Sequence, residues 1–126
     1  MQKERNEKKI VEIVKERVPD ISRTTVYRVL DALVGMEMIR LVMRAWDGRG
    51  ENTVLTPLVL NHFTASSEEN LMKRLYRKEI SPAEILNLVP LLFQAAEQGD
   101  KVAAGLVIKL AHEVAITALA LIRRMQ

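Results

Sequence analysis

Met38-Ile39-Arg40-Leu41-Val42-Met43-Arg44-Ala45-Trp46, followed by Asp47-Gly48-Arg49-Gly50, is the stretch that decides the fold. Apolar residues crowd its first nine positions too densely for periodicity to separate helix from strand. Asp47-Gly48-Arg49-Gly50 is a plain turn signal. Two strands around that turn make a β-hairpin, and two helices make a helix–loop–helix corner. The first choice brings a sheet into the chain, and the second leaves it helical.

The residues beyond the turn read as a series of capped helices. Thr56-Pro57 offers an N-cap and a proline at the first helical position, predicting about two turns to Phe63. Ser66-x-x-Glu69 is a capping box opening a helix with Leu71, Met72, Leu75 and Tyr76. Ser81-Pro82-Ala83-Glu84 is a second box, and Pro90 kinks or restarts the helix it opens. Gly99 reads as a C-terminal cap and Asp100 as the cap of a final helix to about Arg124. In that helix Ala103, Leu106, Val107, Leu110, Val114 and Leu121 form one stripe. Val102, Ile108, Ala115, Ile116, Leu119 and Ile122 carry apolar surface most of the way round. Such a helix is either central in its fold or buried by a partner, and a homo-oligomer, a dimer, is the expectation. Its uninterrupted apolar run, Val114 to Ile122, is too short to span a membrane.

Before the deciding stretch, Ile10, Val11, Ile13, Val14 and Val18 recur at helical spacing over residues 6–18. Pro19-Asp20 ends that helix, and Ser22 caps a second one. The second helix carries Val26, Leu30, Leu33 and Val34 on one face, with Gly35 placed to break it. Met1-Gln2-Lys3-Glu4-Arg5 opens on charges, so the reading contains no signal peptide and is cytoplasmic.

The chain has 126 residues, enough for one domain or one domain with an appendage. Aromatics are only 4%, so Leu, Ile, Val, Ala and Met must supply the core. The absence of cysteine excludes disulfides, thiolate nucleophiles and Cys-ligated metals. Two histidines are too few for a His-rich metal site. The net charge of +3 sits wholly in residues 1–46, with ten Lys/Arg against seven Asp/Glu, while residues 47–126 hold nine of each. That asymmetry hints at a polyanion partner for the N-terminal part, against the simpler reading of a solvated helix surface.

Catalytic constellations are missing from the sequence. There is no Gly-rich phosphate loop, and no nucleophile–base pair. His62 and His112 lack carboxylates at ligand spacing, and Ser66, Ser67 and Ser81 read as caps. Asp47, Gly48, Arg49 and Gly50 are a candidate anion-binding turn, with a plain turn as the competing reading. No catalytic residue, metal ligand or cofactor is assigned.

Two resemblances organise the chain. Val18-Pro19-Asp20-Ile21-Ser22-Arg23-Thr24-Thr25-Val26-Tyr27-Arg28-Val29-Leu30 resembles the helix–turn–helix of winged-helix regulators of the ferric-uptake-regulator type. It implies that Arg23, Thr24, Thr25, Tyr27 and Arg28 contact DNA from the start of a recognition helix. That family's His and Cys metal ligands are absent, and only about six residues precede the first helix. From about residue 37 to 124 the chain resembles the C-terminal helical region of BadF-type ATPases, which include N-acetylglucosamine kinases and activators of benzoyl-CoA reductase. Ala45-Trp46-Asp47-Gly48-Arg49-Gly50-Glu51-Asn52-Thr53-Val54-Leu55, Ser81-Pro82-Ala83-Glu84-Ile85, Leu88-Val89-Pro90-Leu91-Leu92-Phe93 and Ala95-Ala96-Glu97-Gln98-Gly99-Asp100 carry it. This resemblance implies helix–loop–helix at Asp47–Gly50. The phosphate loops and Gly-rich adenosine segment of that family do not precede residue 37 here, so no nucleotide binding is expected.

The expectation is an all-α, compact bundle of five to seven helices. Residues 1–36 would form a helix–turn–helix-like leader and residues 37–126 an ATPase-like helical region. The expected role is a non-catalytic, self-associating module and not an enzyme. The alternative is a small dimeric DNA-binding regulator using the helix from Ser22 to Val34.

Overall fold

The computed structural model describes residues 8, 11, 12, 16, 20 and 22–125. From Arg23 onward the described residues form six helices: α1 (Arg23–Trp46), α2 (Leu55–His62), α3 (Glu68–Tyr76), α4 (Pro82–Leu86), α5 (Val89–Glu97) and α6 (Lys101–Met125). No strand occurs among the described residues. The fold is all-α, and Met38 to Trp46 is helix, with Asp47-Gly48 turning directly after it. Most of the first expected helix, residues 6–18, lies outside the described residues, although Lys8, Val11, Glu12 and Glu16 are helical.

Two expectations about α1 are corrected. Gly35 does not break the helix, which continues for eleven residues beyond it. A Cβ at Gly35 would run into the backbone oxygen of Ile85 and stand 2.8 Å from its Cγ2. The glycine is therefore a crossing point, where α1 lies against α4 too closely for a side chain. Nor does the apolar face fall where expected. Val34, Met38, Ile39 and Val42 are buried, Leu30 is half-buried and Leu33 is exposed.

Local chemistry sets the other helix ends. The α2 start lies slightly before the expected Thr56-Pro57, because the Thr53 hydroxyl accepts from the Leu55 N–H at 3.1 Å. Pro57 then falls in the first turn, where a backbone N–H has no helical partner to lose. The α3 cap is Ser67 instead of Ser66: its Oγ accepts from the Asn70 N–H at 3.1 Å. Glu68 and Glu69 in the first turn and Lys73 and Arg74 in the last complement the helix dipole. Ser81 caps α4 as expected, its Oγ accepting from the Glu84 N–H at 3.2 Å, with Pro82 following it. Pro90 sits in the first turn of α5, so the chain restarts there instead of kinking. Gly99 adopts φ +87° after α5, and the Asp100 N–H donates to the Ala95 carbonyl at 3.1 Å. That is a glycine-terminated helix end.

The chain forms two compact units, Asp31–Val107 on the one hand and Met1–Leu30 with Ile108–Gln126 on the other. The first is a compact helical bundle. Its core is Met38, Ile39 and Val42 of α1, Leu55 and Val59 of α2, Leu71 of α3, Ile85 of α4, Leu92 and Ala95 of α5, and Ala103 and Leu106 of α6. Leu88 and Val89 fill the α4–α5 junction. Helix α2 packs on α5. Each fully buried Leu, Val or Met contributes about 1.5–3 kcal/mol relative to exposure, and Phe63 is buried alongside them. In the second unit Val11 is buried.

Candidate functional site

The candidate DNA contacts lie at the start of α1. Ser22 Oγ accepts from the Thr25 N–H at 3.1 Å and lies 2.8 Å from Thr25 Oγ1, so the expected cap is made. Thr24, Thr25 and Arg28 are exposed and Tyr27 is half-buried. Arg23 begins the helix, and its side chain lies outside the described residues. The winged-helix resemblance is not supported: no strand follows α1 among the described residues, and residues 35–46 are helical where a sheet would begin.

The candidate anion-binding turn closes on itself. Arg49 Nε and Nη2 both donate to Asp47 Oδ2 at 2.7 Å, and the Arg49 N–H donates to Asp47 Oδ1 at 3.1 Å. This hydrogen-bonded guanidinium holds the Asp47 carboxyl below its ordinary value, and Asp47 in turn raises Arg49. Gly48 takes φ +83°, and the Gly50 N–H donates to the Arg44 carbonyl at 2.9 Å. An incoming anion would have to compete with Asp47 for Arg49.

Sequence reasoning assigned Asp100 a capping role only. Its carboxylate does accept from the Ala103 N–H at 2.9 Å, but it also accepts from the Thr53 hydroxyl at 2.6 Å and the Val54 N–H at 3.0 Å. One side chain thus fastens the segment before α2 to the start of α6. Partial burial penalises the charge. The Thr53 hydroxyl and the two backbone donors outweigh that penalty and hold the carboxyl below its ordinary value. Thr53 gave no signal in the sequence, because the partner that defines its role is 47 residues away.

The histidines have modest surroundings. His62 is exposed, packs edge-on to Phe63 with centroids 4.9 Å apart, and lies 3.4 Å from the Glu84 carbonyl. His112 is exposed on α6. Among the described residues no group of three or more His, Asp or Glu is placed to hold a metal ion. Also among them, no helix is long and apolar enough to cross a membrane.

The surface feature that sequence reading missed is an exposed apolar row on α1. Val29 is 53% exposed, Leu33 60% and Met36 45%. They recur at intervals of four and three residues, so the signal was present in the spacing. Of the three, only Leu33 was assigned to a face, the one shared with Val26, Leu30 and Val34. On α6, Ile108 and Ile116 are exposed as well. Of the expected α6 stripe, Ala103 and Leu106 are buried and Val107 and Leu110 half-buried, while the side chains of Val114 and Leu121 lie outside the described residues.

Comparison with known proteins supports the kinase-like resemblance in its broad form. The chain is 27% identical over 89 residues to an N-acetylmuramic acid/N-acetylglucosamine kinase of Clostridium acetobutylicum. The match covers 71% of this chain but only 29% of that kinase. No family model matches the sequence. No solved structure matches it either.

Proposed function

We propose that this chain is a non-catalytic, cytoplasmic helical module that associates with itself, related to part of a sugar kinase and working without that kinase's nucleotide chemistry. The observation that carries the reading is the apolar surface left to water: Val29, Leu33 and Met36 on α1, with Ile108 and Ile116 on α6. A solvated helix face is ordinarily polar, and an apolar one marks a surface that another protein covers. The lack of a Gly-rich phosphate loop and of a nucleophile–base pair among these 126 residues supports the non-catalytic part.

Sedimentation across a concentration series tests the association, and calorimetry with ATP and N-acetylglucosamine tests the absence of kinase binding. The expected result is a concentration-dependent dimer with no binding heat. A monomer at every concentration removes the self-association reading. Saturable ATP or sugar binding removes the non-catalytic one.

A second reading is kept for one observation: Thr24, Thr25 and Arg28 are exposed around the first turns of α1. Hydroxyls and a guanidinium there suit phosphate contact. Duplex binding that weakens with salt and with Arg28→Ala supports that reading. No binding at low salt discards it.

A further inference from the structure

Lys73-Arg74-Leu75-Tyr76-Arg77-Lys78 ends α3 and forms the turn after it, with four basic side chains and no acid. The acids of the helix, Glu68 and Glu69, stand in its first turn. Tyr76 is 89% exposed, although a tyrosine ring ordinarily buries much of its area. Met72, four residues earlier and so on the same face, is exposed too. Basic charge at this end complements the helix dipole. The dipole gives no reason for a bare ring among those charges. All of these residues belong to the Asp31–Val107 unit.

The four cations are not equivalent. Arg74 is committed to the Phe63 carbonyl, at 2.7 Å. Lys73 Nζ lies 3.3 Å from Glu69 Oε1, but both side chains are exposed and such a pair is readily exchanged. Arg77 and Lys78 are exposed and form no ion pair with a described residue. Backbone bonds close the turn that carries them. The Lys78 N–H donates to the Leu75 carbonyl at 3.1 Å, and the Glu79 N–H donates to the Arg74 carbonyl at 2.9 Å. The ring and the two cations are therefore neighbours on a fixed turn, which lowers the ordering cost of binding.

We propose that this turn binds a short single strand of nucleic acid, with one base stacked on Tyr76 and the flanking phosphates on Arg77, Lys78 and Lys73. An open ring beside cations is the combination that single strands use, because every base offers a π-face and every link a negative charge. A duplex keeps its base faces stacked against one another, away from the ring. An acidic protein partner fits less well. A stable protein interface takes about 800 Å² from each side. The exposed face of a nine-residue helix is only roughly 14 Å by 10 Å. A strand of a few nucleotides needs no more than that. The inference is independent of self-association and of the candidate contacts on α1.

Fluorescence anisotropy of a short labelled oligothymidylate, titrated with the full chain, tests this. Three phosphate contacts give a slope of about −2 in log affinity against log salt, so raising salt from about 50 to about 200 mM should weaken binding roughly twentyfold. Tyr76→Ala is expected to weaken it at least about fivefold, and Tyr76→Phe to leave it nearly unchanged, because the ring stacks and the hydroxyl does not. The double variant R77Q/K78Q is expected to flatten the salt slope by about 1.4. All three positions are exposed, so these variants should fold, and circular dichroism checks that they do. No binding at low salt overturns the proposal. Binding that Tyr76→Ala leaves intact overturns it as well, since the strand then sits elsewhere or is held by charge alone. A preference for the matching duplex removes the single strand as the partner and favours α1. Displacement of the strand by an equal charge of polyglutamate marks an acidic-protein surface instead, and also overturns it.

Discussion

The two helical glycines separate what a residue costs from what it permits. Gly35 and Gly105 both lie inside helices, where glycine is about 1 kcal/mol worse than alanine. At Gly35 a Cβ would collide with the Ile85 carbonyl oxygen, a backbone atom that cannot turn aside. Gly35→Ala is expected to destabilise the fold by about 1–3 kcal/mol through overpacking, read as a lower denaturant midpoint. At Gly105 nothing stands within 4 Å of an added Cβ. Gly105→Ala is expected to stabilise by about 0.5–1 kcal/mol in the same measurement. The sequence reading took Gly35 as a helix breaker and ran the final helix straight through Gly105. Only the presence of Ile85 beside Gly35 tells them apart, and that neighbour is set by tertiary packing.

At the scale of the element, helix starts were more legible than helix stops. Ser22 and Ser81 cap where their sequence placed them, because a cap bonds its own chain three residues on. Gly99 was also readable as a stop, since glycine advertises a left-handed position. Thr64 and Lys78 were not. Each ends a helix at positive φ, +52° and +59°, without a glycine's freedom. After Thr64 the Ala65 N–H donates to the Leu60 carbonyl at 2.9 Å, and after Lys78 the Glu79 N–H donates to the Arg74 carbonyl at 2.9 Å. Arg74 Nη1 also donates to the Phe63 carbonyl at 2.7 Å, tying α3 to the end of α2. Neighbouring contacts thus hold both residues where their side chains are disfavoured, and a β-branched threonine most of all. Thr64→Gly is expected to raise stability by about 1 kcal/mol, seen as a higher melting temperature. The helices after Thr53 were legible from capping, the helical choice at Asp47–Gly50 came from the family resemblance, and the burial of α1 was misjudged by its density of apolar residues.

Across the Asp31–Val107 bundle, the fastening at Asp100 joins distant parts of the chain. Its carboxyl sits below its ordinary value, so the folded state holds the proton less tightly than the unfolded state. The contribution is therefore complete above the unfolded value of about 4 and is lost as pH falls through the lower folded value. Asp100→Asn is expected to lose about 1–3 kcal/mol near neutral pH. Denaturation of both proteins at pH 7 and pH 3 checks this, and the gap should narrow at the lower pH. The same bond has a consequence for time. Neighbouring turns supply most of a helical protein's contacts, and those form quickly. The Thr53–Asp100 bond spans 47 residues and encloses α2 to α5. Closing a loop of that length costs about 3 kcal/mol of chain entropy, so the bond is expected to form after the folding barrier is crossed. In stopped-flow measurements Asp100→Ala should then leave the folding rate nearly unchanged and accelerate unfolding. Asp100 is in this sense a latch that governs how long the folded bundle lasts, with little influence on how fast it assembles.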